Sequence, residues 1–140
     1  MSPPPPGRVA AELSGGPGVG PAGLSAAIDL GLTTQVPRYD IVAVPQRVPR
    51  HPGNVRLVSR AASTRRRSER LRPAEVALLE VLRDWGALVE VPDREAAKRI
   101  ANLLDANTIR VGKLVRASVT EPPRVRERLR RILIGAGRAT

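Results

Sequence analysis

The chain has 140 residues, and 24 Lys+Arg against 13 Asp+Glu give it a formal net charge of +11; all but Lys98 and Lys113 of its basic residues are arginine. It has no Cys and no Phe, one Trp, one Tyr, 14 Pro and 12 Gly, so a disulfide framework and a thiolate metal site are excluded. No apolar run reaches the roughly 18–20 residues of a membrane-spanning helix, and no basic start leads into an apolar stretch, so one small cytoplasmic domain with an acidic partner is expected.

Pro or Gly fills about half of residues 1–23, a composition that favours extended, solvated backbone. Residues 1–23 are therefore read as a disordered leader, 24–134 as a single small α+β domain, and 135–140 as a flexible tail. Leu24–Leu30 reads as a short helix, with Gly31 placed to end it in a positive-φ conformation. Tyr39-Asp40-Ile41-Val42-Ala43-Val44, stopped by Pro45, reads as a strand over about 39–45. A loop rich in Pro and Gly leads to a second strand over about 55–60, and the two are expected to form a hairpin-like pair. Two strands are not independently stable, so about four following helices must cover them.

Pro73 opens the clearest of these helices, since a first helical position has no use for the missing N–H. Val76, Leu78, Leu79, Leu82 and Trp85 fall on one broad face, with Glu75, Glu80, Arg83 and Asp84 mainly outside it. Ala87–Val91 reads as a third strand or a packed connector. A helix starting near Asp93 follows, with Ala96, Ala97, Ile100, Leu103 and Leu104 as its apolar face and Asn107-Thr108 as its interruption. Ile109–Ser118 forms a shorter helix. Val125, Leu129, Ile132 and Leu133 mark a last one, ended by Gly135 and Gly137.

Charge is concentrated in two places. Residues 56–72 hold seven Arg against Glu69, a local balance of +6, and residues 124–131 hold five Arg against Glu127, a balance of +4. Guanidinium forks of this density suit phosphate or carboxylate contact. The candidate contact residues are Arg60, Arg65, Arg66, Arg67, Arg70 and Arg72, around a mobile Ser/Thr/Ala-rich loop, with Arg124, Arg128 and Arg131 on the last helix. The competing reading makes both clusters solvated faces of a chain biased toward arginine, as in a GC-rich genome. Tyr39 and Trp85 are too few for base stacking, and Trp85 reads as a core anchor.

Chemistry has few candidates. His51 stands alone in a Pro/Gly-rich loop without a second His or a Cys to complete a triad or metal set. Glu90, Asp93 and Glu95 are the only close acidic group, and helix N-terminal placement accounts for the last two. Gly15-Gly16-Pro17-Gly18-Val19-Gly20 follows no strand and precedes no Lys-Ser/Thr, so it does not match a phosphate-cradling loop. The expectation is a non-enzymatic protein with no cofactor and no metal.

The small-residue helix that runs into "LGLTTQVP", followed by "IVAVP", resembles the C-terminal module of AbiEi-type antitoxins of bacterial type IV toxin–antitoxin (abortive infection) systems. "VRLVSRAAS", an Arg-rich linker, "LRPAEVALLEVLRDW" and "EPPRVRERLRRIL" follow in the matching order, over roughly residues 18–134. The resemblance implies neutralisation of a nucleotidyltransferase-like toxin, generally without a stable toxin–antitoxin complex. It also implies an N-terminal winged helix that represses the operon. Here only the Pro/Gly leader stands ahead of residue 24, which makes a truncated relative, a free-standing module or the product of a misplaced start codon the expectation. A general basic nucleic-acid-binding protein and an inactive truncated antitoxin relative are the alternatives.

Overall fold

The computed structural model describes residues 16–47 and 55–137. Within them a three-stranded sheet and seven helices form an α+β fold. The strands are β1 (Gly20–Pro21), β2 (Asp40–Val44) and β3 (Val55–Ser59); α1 (Gly23–Asp29) lies between the first two. After the sheet come α2 (Arg65–Ser68), α3 (Pro73–Arg83), α4 (Trp85–Leu88), α5 (Asp93–Asp105), α6 (Val111–Ser118) and α7 (Pro123–Gly135).

The sheet order is β1-β2-β3. β1 pairs antiparallel with β2 through Gly20 opposite Ala43 and Pro21 opposite Val42. Pro21 is tolerated there because β1 is an edge strand, where a missing N–H breaks no ladder. β2 and β3 run parallel, with Asp40 opposite Val55 and Val44 opposite Ser59, which corrects the hairpin expectation. Hairpins favour loops of about two to five residues. The ten residues between Val44 and Val55 are enough to return past a strand of about 17 Å.

Alternation along β2 divides the interior. Val42 and Val44 pack with Val19, Val55 and Leu57 on one face, while Ala43 and Ile41 face the main core, as a period of two requires. That core is built around α3, which packs against α1, β1 and α7. Val76, Ala77, Leu78, Leu79, Val81 and Leu82 are all fully buried. A helix with apolar residues on all its faces belongs at the centre of a fold rather than on its surface.

Three helices close in the same way. After α1, Gly31 (φ +73) donates its N–H to Ile28 O (2.9 Å) and Leu32 donates to Ala27 O (2.8 Å). Arg70 (φ +54) and Leu71 close α2, and Asn107 (φ +58) and Thr108 close α5, with the same pair of bonds. This left-handed cap satisfies the last carbonyls, and it turns Leu32 and Leu71 into the core.

Two expectations about organisation are corrected, and one that was left open is resolved. The folded body begins before residue 24: Val19 and Ala22 are buried and Gly20–Pro21 is a strand. Residues 1–15 and 138–140, and His51 with its loop, lie outside the described residues. Of the two readings of Ala87–Val91, the packed connector holds: α4 ends at Leu88, Val89 and Val91 pack against the core, and Glu90 and Val91 donate their N–H groups to Leu32 O at 2.9 and 3.4 Å. Trp85 does not continue α3. It begins α4, packs half-buried against the core and donates Nε1–H to Asp93 Oδ1 at 3.2 Å.

Candidate functional site

The segment expected as a mobile arginine loop is a folded helical turn. α2 is seated on α6: Glu69 accepts from Arg116 Nε at 3.0 Å and approaches Lys113 Nζ at 3.8 Å. Two glycines, one ahead of β1 and one at its start, permit a second close contact. Gly18 (φ +86) donates its N–H to Leu71 O at 3.0 Å, and a Cβ there would stand 3.0 Å from the Arg66 and Arg67 backbone. A Cβ on Gly20 would stand 2.7 Å from Pro73 O and from Val76 Cβ. The glycine-rich run thus serves backbone packing on α2 and α3.

Seating α2 in this way drives Arg66 inward. Its side chain is fully buried and donates Nε and Nη2 to Glu121 at 2.9 and 2.8 Å, and Nη1 to Glu80 at 2.6 Å. Glu80, 3 % exposed, also accepts the fork of Arg60 through Nε and Nη2, both at 2.9 Å. Burial alone lowers the affinity of Arg66 for its proton; the bond to Glu121 and the charges of Glu80 and Glu121 outweigh it and raise it. For Glu80, burial pushes the carboxyl up, but the bond from Arg60 and the charges of Arg66 and Arg60 hold it below its ordinary value.

A third buried carboxylate ties α3 to α6. Glu75 accepts from the backbone N–H of Arg72 (2.8 Å) and of Arg110 (2.7 Å), and from Arg110 Nε and Nη2 (2.8 and 2.7 Å). Glu75 and Glu80, expected mainly outside the apolar face of the long helix, are therefore interior. The signal for this was present in the sequence: with Val76–Leu79 and Val81–Leu82 around it, α3 has no continuous polar stripe.

The nine arginine candidates separate by burial. Arg66 is removed from any surface, and Arg60 is committed to Glu80. Arg65, Arg67, Arg70 and Arg72 are exposed. Arg67 is hydrogen-bonded to Gln46 Oε1, and Arg72 Nη1 donates to Asn107 O at 2.7 Å. On α7, Arg124 donates to Arg83 O (3.1 Å), Arg128 to Leu82 O (2.8 Å) and Arg131 to Glu127 (3.2 Å). Arg128 and Arg131 also border a groove of about 630 Å³ between α5 and α7, with Trp85, Ala97 and Ile132 in its walls.

The acidic trio is dispersed over separate partners. Glu90 holds Thr33 Oγ1 and the N–H of Thr34 (3.2 Å), Asp93 holds Trp85, and Glu95 accepts from Arg99 Nε (3.2 Å). Among the described residues no group of three or more His, Cys, Asp or Glu gathers around a common point, and no helix is long and apolar enough to cross a membrane.

No family model and no curated protein matches this chain. Among solved structures it is similar to the crystal structure of the RV2827C protein from Mycobacterium tuberculosis, with a TM-score of 0.52 at 20 % identity. That match covers 94 % of this chain and 52 % of the other, so the chain spans about half the length of the protein it resembles. At this identity the likeness extends to the fold.

Proposed function

We propose that the chain is an antitoxin-like, non-enzymatic module of a bacterial type IV toxin–antitoxin system. It antagonises a nucleotidyltransferase-like toxin and contacts nucleic acid through the exposed arginines of the α2 segment. One observation carries this reading: the ordered pieces that resemble the C-terminal module of AbiEi-type antitoxins all enter one folded body. "LGLTTQVP" supplies Leu30 and Leu32 to the core, "IVAVP" supplies Ala43, and "LRPAEVALLEVLRDW" supplies α3. "EPPRVRERLRRIL" supplies Glu121, Val125, Leu129 and Leu133, and "VRLVSRAAS" supplies β3 and Arg60.

The disposition of charge supports a binding role over a catalytic one. Glu75, Glu80 and Glu121 are turned inward and saturated by guanidinium groups, whereas Arg65, Arg67, Arg70 and Arg72 face solvent. Co-expression of the full chain with a nucleotidyltransferase-like toxin encoded beside it tests the reading. Restored growth is expected, and growth arrest that persists while the chain accumulates in folded form overturns it. The second reading, a general nucleic-acid-binding protein, is favoured by the same exposed arginines. Salt-dependent oligonucleotide binding without growth rescue selects it.

A further inference from the structure

A cleft of about 430 Å³ opens beside the buried ion network, lined by Arg60, Ser63, Arg83, Thr120, Glu121 and Pro122. Its electrostatics are unbalanced. Arg60, Arg66 and Arg83 bring three positive charges to the network, and Glu80 and Glu121 bring two negative ones. The carboxylates are consumed by two of the three arginines: Glu80 by the forks of Arg60 and Arg66, and Glu121 by Nε and Nη2 of Arg66. Arg83 is the odd member. It approaches Glu121 Oε1 only to 3.9 Å, with 22 % of its side chain exposed, and its guanidinium donates no hydrogen bond among the described residues. Burial, and then the adjacent Arg60 charge, disfavour its protonated form.

Two further arginines hydrogen-bond the backbone of the lining residues Arg83 and Glu121. Arg126 Nη1 donates to Val119 O and Glu121 O at 3.2 and 3.4 Å, and Arg124 Nε donates to Arg83 O at 3.1 Å. Neither arginine is drawn to a carboxylate by these bonds. A half-buried guanidinium with unused donors, facing a cleft of ligand size, is relieved by an anion that accepts two parallel N–H bonds. A tetrahedral oxyanion has the geometry and the charge to do this, and Glu121 does not obstruct it because both its oxygens are turned into Arg66.

We propose that this cleft is a phosphate-binding site, in which Arg83 supplies the free guanidinium fork and Arg60 the adjoining charge. The ligand is a phosphate group, carried either by a small phosphorylated molecule or by a nucleic-acid backbone. The site adjoins the start of α2, where the Arg65 N–H donates to Thr120 Oγ1 at 3.2 Å, and it does not depend on toxin antagonism.

Side-chain Nε–Hε and backbone amide NMR spectra of the full chain, titrated with inorganic phosphate at constant ionic strength, test the proposal. Saturable shifts are expected at Arg83, Arg60, Ser63 and Thr120, and sodium chloride should not reproduce them. R83Q should weaken phosphate binding at least tenfold, and R83K, which keeps the charge but not the fork, should weaken it less. If R83Q fails to fold, the wild-type shift map and R83K decide. Parallel titrations identify the source. An oligonucleotide that binds at least tenfold more tightly than a mononucleotide and loses that advantage in R83Q points to a nucleic-acid backbone, and equal affinities point to a small phosphorylated molecule. Non-saturating shifts, shifts centred on Arg65, Arg67 or Arg124, or unchanged affinity in R83Q overturn the proposal.

Discussion

Arg66 and Glu121, 55 positions apart, meet as a fully buried pair through two parallel hydrogen bonds of 2.9 and 2.8 Å. One lies in the densest arginine run of the chain, and the other just precedes α7. Their meeting locks α2 against the start of α7, while the third guanidinium nitrogen of Arg66 reaches Glu80 on α3. A buried ion pair adds little net stability over an apolar replacement, but it fixes geometry, and breaking it leaves an uncompensated charge.

Arg66→Ala is therefore expected to cost about 3–5 kcal/mol, the range for removing one partner of a buried pair. Arg67→Ala, one residue on and exposed, should stay within about 0.5 kcal/mol of the parent. Urea unfolding of both variants checks the contrast. Equal effects would mean that Arg66 is not interior.

Acid should unfold the protein through its interior carboxylates. The folded-state values of Glu80 and Glu75 lie below the ordinary 4.5. For each, burial pushes the carboxyl up, but the arginine bonds outweigh it. A depressed value contributes stability that is fully present above the unfolded value and is lost as pH falls through the folded one. The urea midpoint should be flat from pH 7 to about 5 and fall steeply below about 4.5. Glu80→Gln should start lower and fall less steeply.

Gly20 and Gly86 should respond to alanine in opposite directions. A Cβ at Gly20 meets Pro73 O and Val76 Cβ at 2.7 Å, whereas one at Gly86 meets nothing within 4 Å. Gly20→Ala is expected to lose about 1–3 kcal/mol through overpacking. Gly86→Ala, within α4, should gain about 0.4–1 kcal/mol by restricting the unfolded chain. Thermal melts of the two variants read both signs.

Arg70 closes α2 at φ +54, a conformation that costs a non-glycine residue about 1–2 kcal/mol. Arg70→Gly should raise the unfolding free energy by about 1 kcal/mol while removing one surface charge. A destabilised variant would show that the Arg70 side chain contributes more than its backbone strain costs.

If the exposed face of α2 contacts nucleic acid, replacing Arg65, Arg67 and Arg70 together with Gln should flatten the salt dependence of binding. About 0.7–0.9 of a unit in slope is expected per lost phosphate contact. Binding isotherms at several salt concentrations measure this, and an unchanged slope would place the contact elsewhere.

Local signals were legible where the chain determines its own geometry. Pro73 opens α3, Gly31 closes α1, and the β-branched run at 41–44 forms a strand, because each depends on backbone preference within a few residues. The parallel register of β2 and β3 was not legible, since it depends on which end of the sheet the connecting chain returns to. The short strand at Gly20–Pro21 was hidden because glycine and proline read as punctuation, although here they permit an edge strand pressed onto α3. For the arginines, composition located the clusters but not their direction. Arg66 and Arg67 are adjacent, and a helical turn places them about 100° apart, one toward Glu80 and Glu121 and the other toward solvent.

By itself, then, the sequence determined the α+β class, the principal helices and the places where charge accumulates, because these follow from periodicity, capping residues and composition. Only the tertiary structure decided what the +11 consists of. Long-range packing pairs part of the arginine with three interior carboxylates and leaves Arg83 beside them without a full partner. Arg65, Arg67, Arg70 and Arg72 are left on the surface. Burial and ion pairing join residues tens of positions apart, and no local pattern encodes which of two adjacent arginines turns inward.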